Sequence, residues 1–374
     1  MIRDNYKNIY RMIGSPKVFV YSVIWLMFLV VIGTLAQRDQ GLYLAQQKYF
    51  SSWFTFIGFI PIPSGRFIMS IIFVNLSCYF FRPNILKVNK IGITIVHFGV
   101  IMLLAGGGLT AIFSSEGNVV IEEGQTADFV ESFYLKEFAV INTSDNELDY
   151  FTVFDQPLLY AQSILRDESF PFEIKILEYY SNSDIETRLY RGDNTLKGMA
   201  KNFVLEKKKD EKEYEKNISG IVYQINNANE EVDGIYISFL GQPVIQTIQV
   251  NGVDYSLILR RHRTYLPFKL KLNNFNKEMH PGTNIAKSYS SDIFLIENNM
   301  QRKVLIQMNE PLRHKGYTFY QASFIDGDMI QTTVLAAVKN YGRIFPYVST
   351  IIMCIGLLFH MLYKLYKRPK KVVV

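Results

Sequence analysis

The chain has 374 residues, of which 49% are hydrophobic and 14% aromatic, and its formal net charge is +6 at pH 7. This apolar and aromatic content excludes an intrinsically disordered protein. The mean hydropathy of +0.07 is too low for a transporter whose whole mass lies in lipid, and the pI near 9.0 raises the question of where the positive charge lies.

Four stretches contain no Asp, Glu, Lys or Arg: 18–35, 67–81, 91–113 and 344–363. A helix needs about 20 apolar residues to cross a membrane, so three of the stretches are long enough. The second is short, but Pro63, Ser64 and Gly65 precede it and Arg66 can snorkel, so we predict that it crosses too. The first is too long for the core of a cleaved signal peptide, and we interpret it as a retained anchor.

The positive charge is concentrated in three of the intervening segments. Residues 1–17, 82–90 and 364–374 hold 12 basic residues, whereas 36–66 hold three, Arg38, Lys48 and Arg66. By the positive-inside rule both termini are predicted to be cytoplasmic and residues 114–343 extracytoplasmic. That outer segment holds 25 basic and 32 acidic residues. The high pI therefore reflects the basic segments that set the membrane topology, and no nucleic-acid partner is expected. The acidic outer domain suits a basic protein partner.

The fold class follows from these segments. We predict a membrane protein with four transmembrane α-helices and a large extracytoplasmic, mainly antiparallel β domain inserted between the third and fourth spans. Its regions are 1–113, 114–343 and 344–374. Residues 118–122, 172–180, 234–239 and 268–272 have strand patterns, and short strands between turns suggest a β-sandwich or open barrel. The charge run 206–217 is predicted to be a solvated loop or hairpin tip.

The loop between the first two spans carries an aromatic cluster, Trp53, Phe54, Phe56 and Phe59. Such residues suit the membrane interface. The alternative is a hairpin buried under the large domain.

Two of the five histidines, His97 and His360, lie inside predicted spans, where an ionisable residue indicates a functional site. Both are expected in the cytoplasmic half of the bilayer, about 9 and 5 Å from the inner ends of their spans. A neutral imidazole there suits an axial ligand of haem iron. The alternative for His97 is a ring hydrogen-bonded to a neighbouring helix, and for His360, near the headgroups, a structural role is the stronger alternative.

Other candidate residues are fewer. The two cysteines, Cys78 and Cys354, are far apart within apolar runs, so neither a disulfide framework nor a CxxC site is expected. The glycines of the run 105–108 allow a partner helix to approach, or form a flexible exit from the span. The basic and aromatic run 260–265 is suited to a haem propionate, a lipid phosphate or a protein acid, with a solvated strand edge as the alternative.

Several stretches, in this order, resemble the ResB (CcsB) family of cytochrome c biogenesis proteins. They are SPKVF with IGTLAQ (15–19, 32–37), IGITIVHFG with LLAGGG (91–99, 103–108), LPFKLKLNNF with PGTNI and SYSSD (266–275, 281–285, 288–292), and MNEPL with GYTFYQAS (308–312, 316–323). Their order and the layout of four spans together make the resemblance specific.

The resemblance implies a subunit of the System II pathway in the inner (cytoplasmic) membrane. Such proteins act with a CcsA (ResC) partner, exporting haem and supporting its covalent attachment to apocytochrome c in the periplasm. The chain would be a subunit of a cytochrome c synthetase complex rather than a complete enzyme. A thioredoxin-like thiol reductant is a further implied partner.

The resemblance also implies a role for one histidine. His97 matches the histidine of the family's third span and is expected to be one axial ligand of haem b, the transported substrate shared with CcsA. The opposite ligand is expected from CcsA, as is the tryptophan-rich outer haem site, because this chain has only two tryptophans. Nothing carries over to His360, His262, His280 or His314, and no catalytic residue is implied.

Two other functions remain open from the residues. One is a membrane redox subunit that holds haem b between His97 and His360 of one chain. The other is a non-catalytic membrane anchor whose β domain binds an extracytoplasmic partner.

Overall fold

The computed structural model describes residues 10, 12–82, 85–144, 150–188, 193–283, 286–298, 300–327 and 330–367. Some residues used above lie outside these ranges: the basic residues Arg3, Lys7, Arg11, Arg368, Lys370 and Lys371, and Asn284 and Ile285 of the PGTNI stretch. The chain divides into two compact units. The first comprises Met1–Ser115 and Lys339–Val374, and the second comprises Glu116–Val338.

In its described residues the first unit contains four apolar helices: α1 (Pro16–Gln46), α2 (Gly65–Tyr79), α3 (Val88–Phe113) and α4 (Phe345–Tyr366). Three of them, α1, α3 and α4, are long and apolar enough to cross a membrane. Helix α2 has 15 residues, which extend about 22 Å and fall short of a hydrocarbon core of about 30 Å. The crossing predicted at 67–81 is therefore not made by this helix alone.

Helix α1 continues beyond the predicted end of its span at residue 35. It begins at a cap, where the Oγ of Ser15 accepts the N–H of Lys17 at 3.3 Å. It kinks at Gly41, whose φ of 79° is easily adopted only by glycine. A π-helical turn, Gln47–Ser51, follows, and there the ring of Phe50 lies against Gly33. The chain has therefore turned back along α1.

A two-stranded hairpin, β1 (Phe54–Ile57) with β2 (Ile60–Pro63), follows this return. Its base is fixed, because the N–H of Ser64 donates to the carbonyl of Trp53 at 3.0 Å and the indole N–H of Trp25 donates to that of Pro63 at 2.9 Å. The aromatic cluster predicted in this loop is exposed: Trp53, Phe54, Phe56 and Phe59.

Helix α2 packs antiparallel to α1. The side-chain amide of Asn75 donates to the carbonyls of Ile13 and, at 3.0 Å, Ser15, which lie just before α1 begins. Ile68 and Ile72 are buried against Leu29 of α1 in a small apolar core. The C-terminal half of α2 therefore lies at the start of α1.

Helices α3 and α4 pack closely through small residues. Glycines recur every seven residues on α3, which places them on one face. They pair with the facing helix as follows: Gly92 with Gly356, Gly99 with Ser349, and Gly106 with Phe345. A Cβ at Gly92 would lie 2.8 Å from the carbonyl oxygen of Gly356. Gly106 thus allows a helix to approach, whereas Gly107 and Gly108 have nothing within 4 Å.

The second unit is built from strands, and in the part that is described it contains helical turns of three or four residues only. The strands are β3 (Ser115–Glu122), β4 (Thr126–Asn142), β5 (Tyr150–Asp155), β6 (Ile164–Leu165), β7 (Glu173–Tyr180), β8 (Ser183–Thr187), β9 (Phe203–Lys207), β10 (Gly220–Asn226), β11 (Gly234–Phe239), β12 (Gln246–Val250), β13 (Val253–Met279), β14 (Ala286–Glu297), β15 (Met300–Gln307), β16 (Leu312–His314), β17 (Tyr317–Asp326) and β18 (Gln331–Lys339). The predicted strand segments all fall within or largely within these strands. The charge run 206–217 is mostly loop, as predicted.

The strands form one sheet of ten, one of four and one of two strands. The large sheet has the order β15-β14-β13-β4-β3-β18-β17-β16, with β5 beside β4 and β12 beside β13. The small sheets are β11-β10-β7-β6 and β8-β9. The expectation of short strands is wrong for β4 and β13, which have 17 and 27 residues. Shifts of register between these two strands bend them without ending them.

The long strand β13 contributes to two hydrophobic cores. Its first part supplies Tyr255 and Leu257 to a core shared with the four-stranded sheet. Its second part supplies Leu270 and Leu272 to a core formed with β3 and β14–β18. The second unit therefore has two packed layers over part of its length, in the manner of a sandwich.

Candidate functional site

His97 lies in the first half of α3 and has a defined tautomer. Its Nδ1 is 2.8 Å from the carbonyl oxygen of Ile93, one turn earlier. A carbonyl oxygen only accepts, so Nδ1 carries the proton and Nε2 keeps its lone pair. A backbone carbonyl that holds one ring nitrogen is the usual way to orient a histidine that binds metal through the other. This geometry is compatible with a metal bound through Nε2.

A stacked ring holds His97 from the side of α2. The ring centroids of His97 and Tyr79 are 4.2 Å apart with an interplanar angle of 13°. The Tyr79 hydroxyl lies 3.4 Å from that of Thr94, whose own hydroxyl donates to the carbonyl of Ile85 at 2.8 Å. The imidazole therefore has a fixed orientation as well as a fixed tautomer.

Arg82 completes this cluster. Its guanidinium carbon lies 5.6 Å from the centroid of the Tyr79 ring, on which it stacks, and it donates to the carbonyl of Gly14. A permanent positive charge thus stands within about 10 Å of the His97 ring. In the sequence, Arg82 was noted only as one of the basic residues that predict the membrane topology. Nothing in the sequence pointed to Tyr79 or to its stack on His97, because the contact joins two helices.

His360 faces a different neighbour. A Cβ at Gly92 would lie 2.7 Å from the Cβ of His360, so this histidine lies in the α3–α4 contact. His97 is five residues after Gly92, a rotation of about 140° around α3. The structure therefore does not bring the two rings to one face of α3, and it gives no support to a haem held between His97 and His360 of one chain.

The histidines of the second unit are in surface settings. His314 Nε2 lies 2.9 Å from Glu297 Oε2. Hydrogen bonds from Lys315 and then from His314 hold the pKa of Glu297 below its usual range. His262 Nε2 lies 3.5 Å from Asp155 Oδ1, and His280 is exposed.

The basic run 260–265 is used within its own sheet. Arg260 is buried and its Nε pairs with Glu137 at 2.7 Å, while Arg263 pairs with Glu131 at 2.9 Å. Arg261 donates to backbone carbonyls at 2.8 Å. The solvated strand edge is therefore wrong for Arg260. The acids that pair with Arg260 and Arg263 belong to β4 of this chain, and the one beside His262, Asp155, belongs to β5.

One group in this region has metal-ligand chemistry. Atoms of Glu137, Asp155 and His262 lie within 4.8 Å of one another. However, Glu137 already accepts from the guanidinium of Arg260 and, at 3.1 Å, from the N–H of Arg263. Because the carboxylate is neutralised and both its oxygens are used, the group fits an ion-pair network better than a metal centre.

Beside this network lies a buried amine that the sequence did not indicate. Lys136 on β4 is 2% exposed, and its Nζ donates to the carbonyl of Tyr134 at 3.0 Å. Burial, and then the nearby Arg261, lower its pKa to about 8. No carboxylate pairs with it within the described ranges.

Comparison with known proteins shows one family model and two relatives to which parts of the chain are similar. The model of the ResB-like family matches residues 87–155 and 244–342, which include His97 and all of β13. Protein NrfI of Wolinella succinogenes is 22% identical over 276 residues, which are 71% of this chain and 27% of that protein. Cytochrome c biogenesis protein CcsB of Microcystis aeruginosa is 31% identical over 96 residues, or 24% of this chain and 21% of that protein.

The chain therefore spans only about a quarter of the length of the curated relatives it matches. The family model nevertheless matches both the third apolar helix and the large sheet, in the order that the resemblance predicted. The chain is therefore similar to the ResB-like family over residues 87–155 and 244–342.

Proposed function

We propose that the chain is a membrane subunit of cytochrome c biogenesis. With a CcsA/ResC-type subunit it moves haem b across the membrane and supports its covalent attachment to apocytochrome c. The match of two segments to the ResB-like family model and the likeness to a cytochrome c biogenesis protein support this role. The observation that carries the haem-binding part is the geometry of His97, whose Nε2 has no hydrogen-bond partner among the described residues.

The proposed topology has four crossings, with both termini cytoplasmic and the β unit outside. Helices α1, α3 and α4 each cross alone, being long and apolar enough. The second crossing is composite: the return after Gly41, the hairpin β1–β2 and α2 together bring the chain back to the inner side. The basic residues of 1–17, 82–90 and 364–374 support this orientation.

In this role His97 provides one axial ligand for the iron of the transported haem. Its neutral Nε2 is the atom that binds, and the carbonyl of Ile93 and the ring of Tyr79 keep it in place. The second axial ligand comes from the CcsA/ResC-type subunit, because His360 is turned into the α3–α4 contact.

Arg82 is the residue we assign to the propionates. Haem is apolar except for its two carboxylates, and a guanidinium forms strong charge-assisted hydrogen bonds with a carboxylate. Arg82 lies at the inner end of α2, and Lys87 and Lys90 follow it before α3 enters its apolar stretch. A haem on His97 would therefore have its carboxylates at a basic boundary.

The β unit is assigned to the apocytochrome side of the reaction. With 32 acidic and 25 basic residues in 114–343, it suits a basic protein. Its ion pairs are internal, and no residue in it is assigned a catalytic role. The two cysteines both lie in the apolar helices, so reduction of the apocytochrome thiols falls to a separate thioredoxin-like protein.

The test uses the full chain co-expressed with the CcsA/ResC-type subunit and purified as a complex. His97→Ala is expected to remove most of the low-spin b-type haem absorbance per complex. The matched control, His360→Ala, is expected to keep it, because His360 lies on α4 with its Cβ against Gly92, about 140° around α3 from His97. Unchanged haem content in His97→Ala would contradict the assignment of His97 as a haem ligand.

The other two functions give different results. A single-chain redox subunit would carry stoichiometric low-spin haem when purified without CcsA, and would lose it in His360→Ala. A non-catalytic anchor would leave cytochrome c maturation normal in a deletion strain.

A further inference from the structure

The aromatic hairpin β1–β2 lies beside the middle of α1 and not beyond its end. Trp25, which donates to the carbonyl of Pro63, is eight residues past Lys17, about 12 Å along the helix. Gly33, which the return segment touches, is about 24 Å along, and the next charge, Arg38, about 32 Å. The base of the hairpin therefore lies within the charge-free length of α1.

A second contact gives the same depth independently. Asn75 of α2 reaches the carbonyl of Ser15, at the start of α1. Gly65, where α2 begins, is ten residues earlier, so it lies about 15 Å from that end. If α1 crosses the membrane as proposed, the hairpin and the first turn of α2 lie at the depth of the hydrocarbon core.

The hairpin has free backbone edges at this depth. In the described part of the chain its sheet contains two strands only. Phe54 is paired with Pro63, and Phe56 with Pro61. Proline has no N–H to donate, so these are non-hydrogen-bonded pairs, and the N–H and C=O of both phenylalanines point away from β2. The edge of β2 thus lacks donors at its prolines, whereas the edge of β1 keeps donors and acceptors.

The side chains on this surface are also uncovered. Phe54 and Phe56 are 55% and 59% exposed, and Phe59 at the turn is fully exposed. Thr55 and Ile62, on the other face, are buried within the first unit. The hairpin thus has one face packed on its own unit and one open aromatic face.

Arg66 adds a charge close to the hairpin, because the ring centroid of the next residue, Phe67, lies 5.1 Å from that of Phe54. Arg66 is the second residue of α2, it is exposed, and it has no ion pair among the described residues. A cation at this depth is unfavourable unless a partner or water reaches it. Its position beside an open strand edge indicates that the partner comes from outside this chain.

The molecule that covers this surface can be inferred by comparing the chemical groups that lipid, a second copy of this chain and a different membrane protein would supply. Lipid chains offer no hydrogen bonds to a strand edge, and irregular backbone at membrane depth occurs only where protein or water covers it. A second copy of this chain would bring no carboxylate, because none of the four apolar stretches contains Asp or Glu. The observations favour a different membrane protein.

We propose that the β1 edge, the exposed aromatic face and Arg66 form the docking surface for a membrane segment of the partner subunit. That segment supplies hydrogen-bonding groups to Phe54 and Phe56 and a carboxylate to Arg66. The identity of the partner as the CcsA/ResC-type subunit rests on the proposed function.

The test places the photoreactive residue p-benzoylphenylalanine at Phe56 of the full chain, co-expressed with the CcsA/ResC-type subunit. The aromatic replacement preserves the apolar character of the hairpin. Val31 on α1 is the matched control, because it is also 59% exposed and lies in a span. Irradiation is expected to give at least tenfold more adduct with the subunit from Phe56 than from Val31. Equal yields, an adduct with phospholipid or an adduct with a second copy would each overturn the proposal.

The role of the Arg66 charge in binding the partner subunit is tested separately with Arg66→Gln and Arg66→Lys. Recovery of the complex is expected to fall several-fold with Gln and much less with Lys, and equal recovery of both with the wild type would overturn the role of Arg66. Haem absorbance is read from the same preparations. If the complex carries haem but gives no Phe56 adduct, the docking surface is contradicted and the proposed function is not. If the adduct forms but the haem content does not depend on His97, the proposed haem-binding function is contradicted and the docking surface is not.

Discussion

The imidazole of His97 and the phenol ring of Tyr79 lie nearly parallel, with centroids 4.2 Å apart. The stack joins α3 to α2, while the carbonyl of Ile93 fixes the tautomer from within α3. Two independent contacts thus hold one imidazole, which is the arrangement expected of a metal ligand that must not rotate.

The first prediction concerns this stack. Aromatic pairs contribute about 0.5–1.5 kcal/mol beyond simple burial, and tenfold in affinity corresponds to about 1.4 kcal/mol. Tyr79→Ala is therefore expected to lower the affinity of the complex for haem by about two- to tenfold. Tyr79→Phe keeps the ring and loses only the long contact with Thr94, so it is expected to bind haem as the wild type does.

The measurement is a haem titration of the apo-complex, with Val74→Ala as the control for an exposed residue of the same helix. If Tyr79→Ala and Tyr79→Phe bound haem equally, the stack would have no part in positioning His97.

The second prediction concerns the contact of α3 with α4. A Cβ at Gly106 would collide with Phe345, whereas Gly107 has open space. Gly106→Ala is expected to destabilise the first unit by about 1–3 kcal/mol. Gly107→Ala is expected to be neutral or to stabilise by up to about 1 kcal/mol, because alanine favours the helix.

Thermal unfolding of the detergent-purified chain, followed by helical circular dichroism, compares these two variants directly. Equal midpoints for both variants would mean that the close approach at Gly106 is not part of the packed state.

The third prediction concerns the pH dependence that Lys136 gives to the β unit. Its pKa is lowered from 10.5 to about 8 in the folded chain, mainly by burial. Between about pH 8 and 10.5 the unfolded chain therefore binds the extra proton, so this group makes stability rise with pH across that window. Below about pH 8 Lys136 is protonated in both the folded and the unfolded chain, so the full destabilisation by the buried charge is present.

Lys136→Met removes the buried charge and is expected to raise the unfolding midpoint at pH 7, with the gain over the wild type shrinking between pH 8 and 10. Lys175→Met on β7, which is less buried, is the control and is expected to show no such convergence. A constant difference between Lys136→Met and the wild type at every pH would contradict the assignment.

Much of the fold follows from local patterns. The charge-free stretches coincide with α3 and α4 to within a few residues, because a helix in a membrane needs an uninterrupted apolar run. The segments in which apolar and polar residues alternate form strands, because the side chains of a half-buried strand point to the core at every second residue. His97 was identified as a candidate because an ionisable residue in such a run is rare.

Other features had no local signal. The return of the chain at Gly41 depends on the packing of Phe50 on Gly33, and the stack of His97 on Tyr79 joins two helices. The length of β13 was missed because bulges interrupt its alternation without ending the strand. A solvated strand edge was the alternative for the run that contains Arg260, and it is wrong for this residue because Arg260 pairs with Glu137, 123 positions away in the sequence.

The most direct test of the haem-ligand assignment is chemical rescue of His97→Gly in the purified complex with the CcsA/ResC-type subunit. Removing the imidazole leaves a space that free imidazole can fill, and a ligand supplied in this way restores the spectrum only if the lost group bound the iron. We expect the low-spin b-type absorbance to be lost in His97→Gly and to return as imidazole is added. A spectrum that is unchanged by His97→Gly would contradict the central claim.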